Sequence, residues 1–355
     1  MSHHILIINP GSTSTKLGIF RDDECLWRES FEHRFEGELS LLSQLPVRQE
    51  AVTEFLEDRL PEGVVLDAVV GRGGLLPPLP AGTYAVDEAM LQTLRQARRG
   101  EHASNLGAFL ADEVARERGI PAYIVDPVSV DELEDVARVS GLDGVERESL
   151  SHALNIRAVA HRFARDVERP FDELRLIVAH LGSGVSMAAI RDGRLVDVVN
   201  PRDEGPIGLD RPGALPNFAL VELCFDRGMT KEQVQGLLLG NGGVHSYLQT
   251  RDLRHVSKLA ARGDGQAALL LQAIIYDTAK WIGAMATVLE GELDAILLTG
   301  GMIRDGELAA QVEARVQWIA PVAVYAGEDE LQALAEGGLR VLRGRNPPQT
   351  HVFEH

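Results

Sequence analysis

Asn9, Ser12, Thr13, Ser14, Thr15 and Lys16 put one amide, four hydroxyls and an ammonium around Gly11. Such a set can satisfy several oxygens of a phosphate through charge-assisted hydrogen bonds, and the glycine lets an anion come close to the backbone. Taken alone, an ordinary polar hairpin is the simpler reading. A second copy reverses that. Residues 176–191 repeat residues 5–20 at an offset of 171, with His180 standing at Asn9, Gly182 at Gly11, Ser183 at Ser12 and Ile190 at Ile19. Each copy is an apolar run, a Gly/Ser bend and a second apolar run, which predicts a hairpin whose N–H groups and hydroxyls face an anion. Two such bends confronting one another would grip a phosphate chain from both sides, the geometry that phosphoryl transfer needs.

Other residues could take part. Arg72 follows a buried run and precedes Gly73 and Gly74, while Arg211 lies among Gly205, Pro206, Gly208, Pro212 and Gly213. Arginines braced in this way can fork onto carboxylate or phosphoryl oxygens, although surface salt bridges are the competing reading. Asp126 ends an apolar run before Pro127, as a group that orients a metal or phosphate ligand would, or as a helix cap would. Gly300 and Gly301 follow the run Leu293 to Thr299, where glycines would let a nucleotide reach the backbone. Of His102, His152 and His180, the last holds the repeat position of Asn9, and the spacing of the three does not suggest zinc. His3 and His4 read as solvated terminal residues.

The elements that must position these groups are legible. Strands are predicted at 4–9, 15–20 and 25–31, a helical stretch interrupted by Pro46 over 40–60, a strand at 64–70, a helix at 105–118 and a strand at 122–126. The second half repeats the strands at 175–180, 185–190 and 194–199. Helices follow near 216–226, 230–239, 252–261 and 264–290, then strands at 293–299 and 321–326 and a closing helix at 328–343. Three strands followed by crossover helices, twice over, describe an α/β fold of two similar domains with mixed sheets and a cleft between them. Residues 1–148 are expected to form the first, with the closing segment of about 330–355 packing back on it, and 149–329 the second, which carries the adenosine site.

Composition sets the outer bounds. The 355 residues, 45% hydrophobic and 25% charged, suffice for two cores. A net charge of -18 argues against nucleic acid or an anionic membrane as partner, so any bound anion must be held by a local cluster. Two cysteines imply no disulfide framework, and neither a signal-length apolar run at the start nor a spanning run elsewhere is visible, so a cytoplasmic location is expected.

Taken together and in order, Ile8 to Lys16, His180 to Gly184, Glu204 to Gly213, Leu298 to Met302 and Tyr325 to Glu330 resemble the acetokinase family, and within it the butyrate kinase branch. The resemblance runs over essentially the whole chain. It implies the actin-like ATPase (ribonuclease H-like) fold and reversible transfer of the γ-phosphoryl group of ATP, with Mg²⁺, to a short-chain carboxylic acid, giving ADP and an acyl phosphate. Butyrate or a branched analogue is the expected acid, with acetate or propionate as the alternative. It further implies that Asn9, Ser12, Ser14 and Lys16 form the first phosphate loop and His180, Gly182 and Gly184 the second. Arg72 and Arg211 would hold the carboxylate and the transferring group, Asp126 would be the essential aspartate, and Gly300 and Gly301 would form the adenosine loop. Glu328, or equally Asp329, would accompany magnesium together with Asn9. His102 and His152 resemble residues near the substrate, and relatives imply a homodimer or larger homo-oligomer.

The chain departs from acetate kinases, which are longer and carry larger residues, including a valine, after the first substrate arginine. Gly73 and Gly74 would make room for extra methylenes, each worth about 0.8 kcal/mol when buried, so Gly74 is expected to help admit a four-carbon acid. A sugar kinase on the same fold would need a base and would show Asp at the first hairpin, where this chain has Asn9. An actin-like ATPase without kinase activity is the more distant rival.

Overall fold

The computed structural model describes residues 2–35, 40–304 and 306–350. The chain divides into two compact units, one of residues 1–131, 153–155 and 329–355, the other of residues 132–152 and 156–328. Residues 132–152 belong with the second unit because Arg147 bonds to the Val198 carbonyl and to Glu204 and Asp197.

In the first unit, β1 (His4–Pro10), β2 (Ser14–Arg21) and β3 (Glu24–Glu32) form an antiparallel meander. β4 (Ala68–Arg72) lies parallel to β1, and β6 (Ala122–Val125) parallel to β4, with the short β5 (Thr83–Ala85) antiparallel at the edge. The order is β3-β2-β1-β4-β6-β5. Ile5 to Ile8 and Val69 to Val70 are wholly buried, as expected of strands covered on both faces. On one face Leu6, Ile8, Leu17, Ile19 and Val69 pack against the helices Leu45–Arg59 and Leu106–Arg118. Pro46 sits in the first turn of the former, where its missing N–H costs nothing, and so divides the stretch without kinking it. The strand expected at 64–70 begins at Ala68, and Val65 is exposed.

The second unit has the same topology. β7 (Leu176–Leu181), β8 (Val185–Arg191) and β9 (Arg194–Val199) form the meander, β10 (Ala295–Gly300) is parallel to β7, and β11 (Val322–Ala326) is parallel to β10. Its order, β11-β10-β7-β8-β9, is that of the first sheet without β5. The long helix Gly265–Val288 covers its core. Register corrects the repeat. Asn9 faces Lys16 and His180 faces Ser186, and Ile5 pairs with Phe20 where Leu176 pairs with Ile190. The second bend is therefore one residue shorter, and Ile190 corresponds to Phe20, not to Ile19. The β-bulges agree, falling between Ile19 and Phe20 and between Ala189 and Ile190.

The closing helix Glu330–Leu342 comes from the far end of the chain but packs on the first sheet. A Cβ on Gly337 would stand 2.4 Å from Val125 Cγ1, and one on Gly338 would stand 2.7 Å from Val70 Cγ2. These two glycines let the helix axis approach the sheet. Residues 351–355 of the expected closing segment lie outside those described. Gly337→Ala is expected to lower stability by about 1–3 kcal/mol through overpacking. Gly283→Ala, in the helix Gly265–Val288 where a Cβ meets nothing within 4 Å, is expected to be neutral or to stabilise by about 0.5–1 kcal/mol. Urea unfolding of both variants checks the contrast, and equal destabilisation would contradict it.

Candidate active site

In the first unit the groups gather at the C-terminal ends of β1, β4 and β6. Arg72 is the last residue of β4 and pairs in register with Val125, so Asp126 follows on the adjacent parallel strand. Strand ends of this kind are where open α/β sheets carry ligands. Gly71 and Gly107 let the helix Leu106–Arg118 press against this strand end, since a Cβ on Gly107 would fall 2.3 Å from the Arg72 carbonyl oxygen. Arg72 is thereby buried, with its Nη1 donating to Glu330 Oε1. The Asn9 amide donates to Glu330 Oε2 at 2.7 Å.

Burial pushes the Glu330 carboxyl up. The Arg72 charge, hydrogen bonds from Arg72 and Asn9, and the Lys16 charge outweigh it and hold the pKa at about 2. The acid bonded to Asn9 is thus Glu330, and neither of the two expected to accompany it is seen bonded to it. Glu328 belongs to the second unit and lies 3.3 Å from His180 Nε2, and Asp329 caps the closing helix by accepting the Gln332 N–H at 3.4 Å. Glu330, at the first position of that helix, is the carboxylate beside Asn9. Three consecutive acids have three different tasks, which residue type alone could not sort.

Asp126 adopts φ +37°, uncommon outside glycine, and is buried. Its Oδ1 accepts the Gly82 N–H at 2.7 Å while its own N–H donates to the Gly82 carbonyl at 2.9 Å. His102 caps the turn before the helix Leu106–Arg118, and its Nδ1 accepts the Ser104 N–H at 3.2 Å. That bond places the proton of the neutral ring on Nε2. Gly74 does not open a space. A Cβ there would meet Asn105 Cα at 2.6 Å, and one on Gly73 would meet Pro127 Cβ at 2.5 Å. Asn105 also accepts the Leu75 N–H at 2.8 Å, so the two glycines serve a tight backbone latch behind Arg72. Gly74 therefore does not provide the room expected of it, since a valine there would have to displace Asn105.

At the first bend Ser12, Thr13 and Lys16 are exposed and Ser14 is half-buried. Thr15 is fully buried and turned away, with its Oγ1 bound to Arg48 Nη1 at 2.9 Å and to His33 Nε2 at 2.8 Å. Only three of the four hydroxyls can therefore face an anion. Arg48 and Asn105 escaped sequence reasoning, since each acts from a separate helical element on a loop distant in sequence.

In the second unit His180, the penultimate residue of β7, is buried and stacks on His152 with centroids 3.8 Å apart. His152 Nδ1 bonds Ser186 Oγ at 2.8 Å, across the hairpin from His180. The glycines at the tip have separate uses. A Cβ on Gly182 would fall 2.9 Å from His180 Nε2, and one on Gly184 would fall 3.1 Å from Arg211 Nε. The arginine lies over the bare backbone of Gly184, in a loop stitched to the bend by the Leu209 N–H to the Ser183 carbonyl at 3.0 Å. Burial pushes the Arg211 pKa below its ordinary value, against the opposing charge of Asp210. Its guanidinium has no hydrogen bond or ion pair among the described residues. Gly300, at φ +103°, is required by the backbone, because a Cβ would meet the Leu181 carbonyl oxygen at 2.3 Å, whereas the space beside Gly301 is open.

The acetokinase family model matches residues 144–337. The chain is 47% identical over 346 residues to butyrate kinase 1 of Clostridium acetobutylicum, covering 96% of this chain and 98% of that protein. It is 48% identical over 345 residues to a probable butyrate kinase of Enterococcus faecalis, covering 96% and 95%. This chain belongs to the acetokinase family. It is a phosphotransferase with a carboxyl group as acceptor. The crystal structure of Porphyromonas gingivalis acetate kinase superimposes with a TM-score of 0.80 at 19% identity, covering 96% of this chain and 100% of that one. A propionate kinase from Francisella tularensis gives 0.76 at 17% identity, covering 94% and 98%. The fold is therefore the actin-like ATPase fold, with the doubled sheet topology described above.

The Glu330 pKa has a consequence for folding. A carboxyl held at about 2 in the folded chain, against an ordinary 4.5, contributes stability that is complete above 4.5 and is lost as pH falls toward 2. The contribution is on the order of 3 kcal/mol at neutral pH, with more than half gone by pH 3. Urea midpoints between pH 6 and pH 3 are expected to fall more steeply for the wild type than for Glu330→Gln, and parallel profiles would contradict the assignment.

Proposed function

We infer that this chain transfers the γ-phosphoryl group of ATP to butyrate, or to a branched acid of similar size, by direct in-line attack, and catalyses the reverse reaction toward ATP. The observation that carries the reading is Arg211. A guanidinium seated over Gly184 with no hydrogen bond or ion pair among the described residues has donors free for an anion, and a transferring phosphoryl group supplies one. The full-length relatives named butyrate kinase support the choice of acid.

A short-chain carboxylate is already ionised at neutral pH, so no general base is required. The protein must align two anions and stabilise charge on the group in transfer. Arg72 is assigned to the carboxylate, Arg211 and His180 to the phosphoryl oxygens, and Ser12, Ser14, Lys16, Gly182 and Gly184 to the phosphates. Asp126 orients the strand-end groups, His102 and His152 stand on the substrate side, and Gly300 and Gly301 flank the adenosine. The Asn9 amide oxygen and the Glu330 carboxylate are hard donors that suit Mg²⁺. Among the described residues no cluster of three or more His, Cys, Asp or Glu side chains could hold a metal ion by itself. When bound, Mg²⁺ neutralises charge on the phosphates.

A homodimer or larger assembly belongs to the same reading, as does a cytoplasmic location, where ATP is supplied. Phe218 and Phe225 are exposed on the helix Asn217–Phe225, and assembly would cover them.

Trapping the acyl phosphate with hydroxylamine across acids from acetate to isovalerate tests the substrate. The highest kcat/KM is expected for butyrate or isobutyrate; a maximum at acetate would move the reading to acetate kinase, and no hydroxamate at all would overturn it. Arg211→Ala is expected to lower kcat by about two to three powers of ten. Near-normal turnover in that variant would refute the role given to Arg211.

A further inference from the structure

Arg48 lies in the helix Leu45–Arg59 and is fully buried. Its guanidinium points at the back of the first bend. Nη1 donates to the Ser14 carbonyl at 2.8 Å and to Thr15 Oγ1, and Nη2 donates to the Gly11 carbonyl at 2.9 Å, to Gln44 Oε1 at 2.9 Å and, at 3.4 Å, to the Ser12 carbonyl. No carboxylate pairs with it among the described residues.

Two consequences follow from that arrangement. A trans peptide holds its C=O and N–H in opposite directions. Drawing the Gly11 and Ser12 carbonyls inward therefore turns the Ser12 and Thr13 N–H groups outward, and neither has an acceptor among the described residues. Adjacent N–H groups aimed the same way form an anion-binding concavity. The charge, moreover, is left unneutralised. A carboxylate partner would have cancelled it, whereas carbonyl dipoles solvate it and leave a positive field behind the bend, in a chain whose net charge is -18. Around it are Phe35, whose ring centroid is 5.4 Å from Arg48 Cζ, and His33 on the Thr15 hydroxyl. Burial and the Arg48 charge push the His33 pKa down, so a second cation does not form there.

We propose that Arg48 is a positioning residue for nucleotide phosphate: it presents the Ser12 and Thr13 N–H groups and supplies an uncancelled buried charge behind them. The proposal rests on the reading of the first bend as a phosphate loop. It assigns no contact between Arg48 and substrate.

The test compares wild type, Arg48→Lys and Arg48→Gln well below their melting temperatures. For Arg48→Gln the KM for ATP is expected to rise by roughly tenfold or more, with the KM for the fatty acid within about twofold of wild type. Arg48→Lys, which keeps the charge but not the fork, is expected to fall between the two. Lower turnover with both KM values unchanged would show a structural role only and overturn the proposal. If neither variant folds, Gln44→Ala, which removes one acceptor from the guanidinium, is expected to raise the KM for ATP alone by a few-fold, and an unchanged KM would count against the proposal. Calorimetric titration of ADP separates the two readings. Should the wild type form no acyl hydroxamate yet bind ADP, weaker ADP binding by Arg48→Gln would still support the proposal, and equal binding would overturn it.

Discussion

The carboxylate of Glu330 is shared between Arg72 and Asn9, and three stretches of chain distant in sequence meet at it: the end of β1, the end of β4 and the start of the closing helix. Burying an ion pair costs both partners their hydration, and the cost is met only when geometry and additional hydrogen bonds are good. Here the geometry is imposed from behind. Gly71 and Gly107 bring one helix against the end of β4, while Gly337 and Gly338 bring the other against Val125 and Val70. These four glycines thus let helices close on the sheet. The charged groups are held at the strand ends as a result.

Three buried or half-buried arginines show three ways to accommodate a guanidinium. Arg48 is solvated by backbone carbonyls, Arg72 is paired with a carboxylate, and Arg211 rests on a bare glycine with no hydrogen bond or ion pair to its guanidinium among the described residues. The ordering matches their tasks. Arg48 is saturated by the loop it holds, whereas the Arg211 guanidinium keeps its donors available. Such local cations also reconcile anionic substrates with a strongly acidic chain, because a nearby buried charge is screened far less than the distant surface field.

Much of this was legible in the sequence. The meander strands of both halves, the long helix of the second unit and the positions of Arg72, Asp126, His180 and Arg211 at strand or loop ends follow from apolar runs and their punctuation. What escaped had physical reasons. The run of Glu328, Asp329 and Glu330 could not be sorted without knowing where the helix starts, because one turn of phase decides which acid points at Asn9. Gly74 looked like room for a substrate because a sequence shows the missing side chain but not Asn105, which occupies its place. Arg48 and Asn105 reach across dozens of residues to hold loops, and no local pattern announces such a contact.

The two meanders share their topology and their β-bulges, yet the second bend is one residue shorter than the first. In an antiparallel pair, the length of a bend determines which side chains stand opposite one another at its mouth. The first bend sets Asn9 across from Lys16, a cation; the second sets His180 across from Ser186, a buried hydroxyl that is bonded to a second imidazole. The two tips thus differ both in length and in the residues at corresponding positions, one carrying an exposed ammonium and the other a pair of stacked imidazoles. The asymmetry of the two bends lies in loop length as much as in residue type.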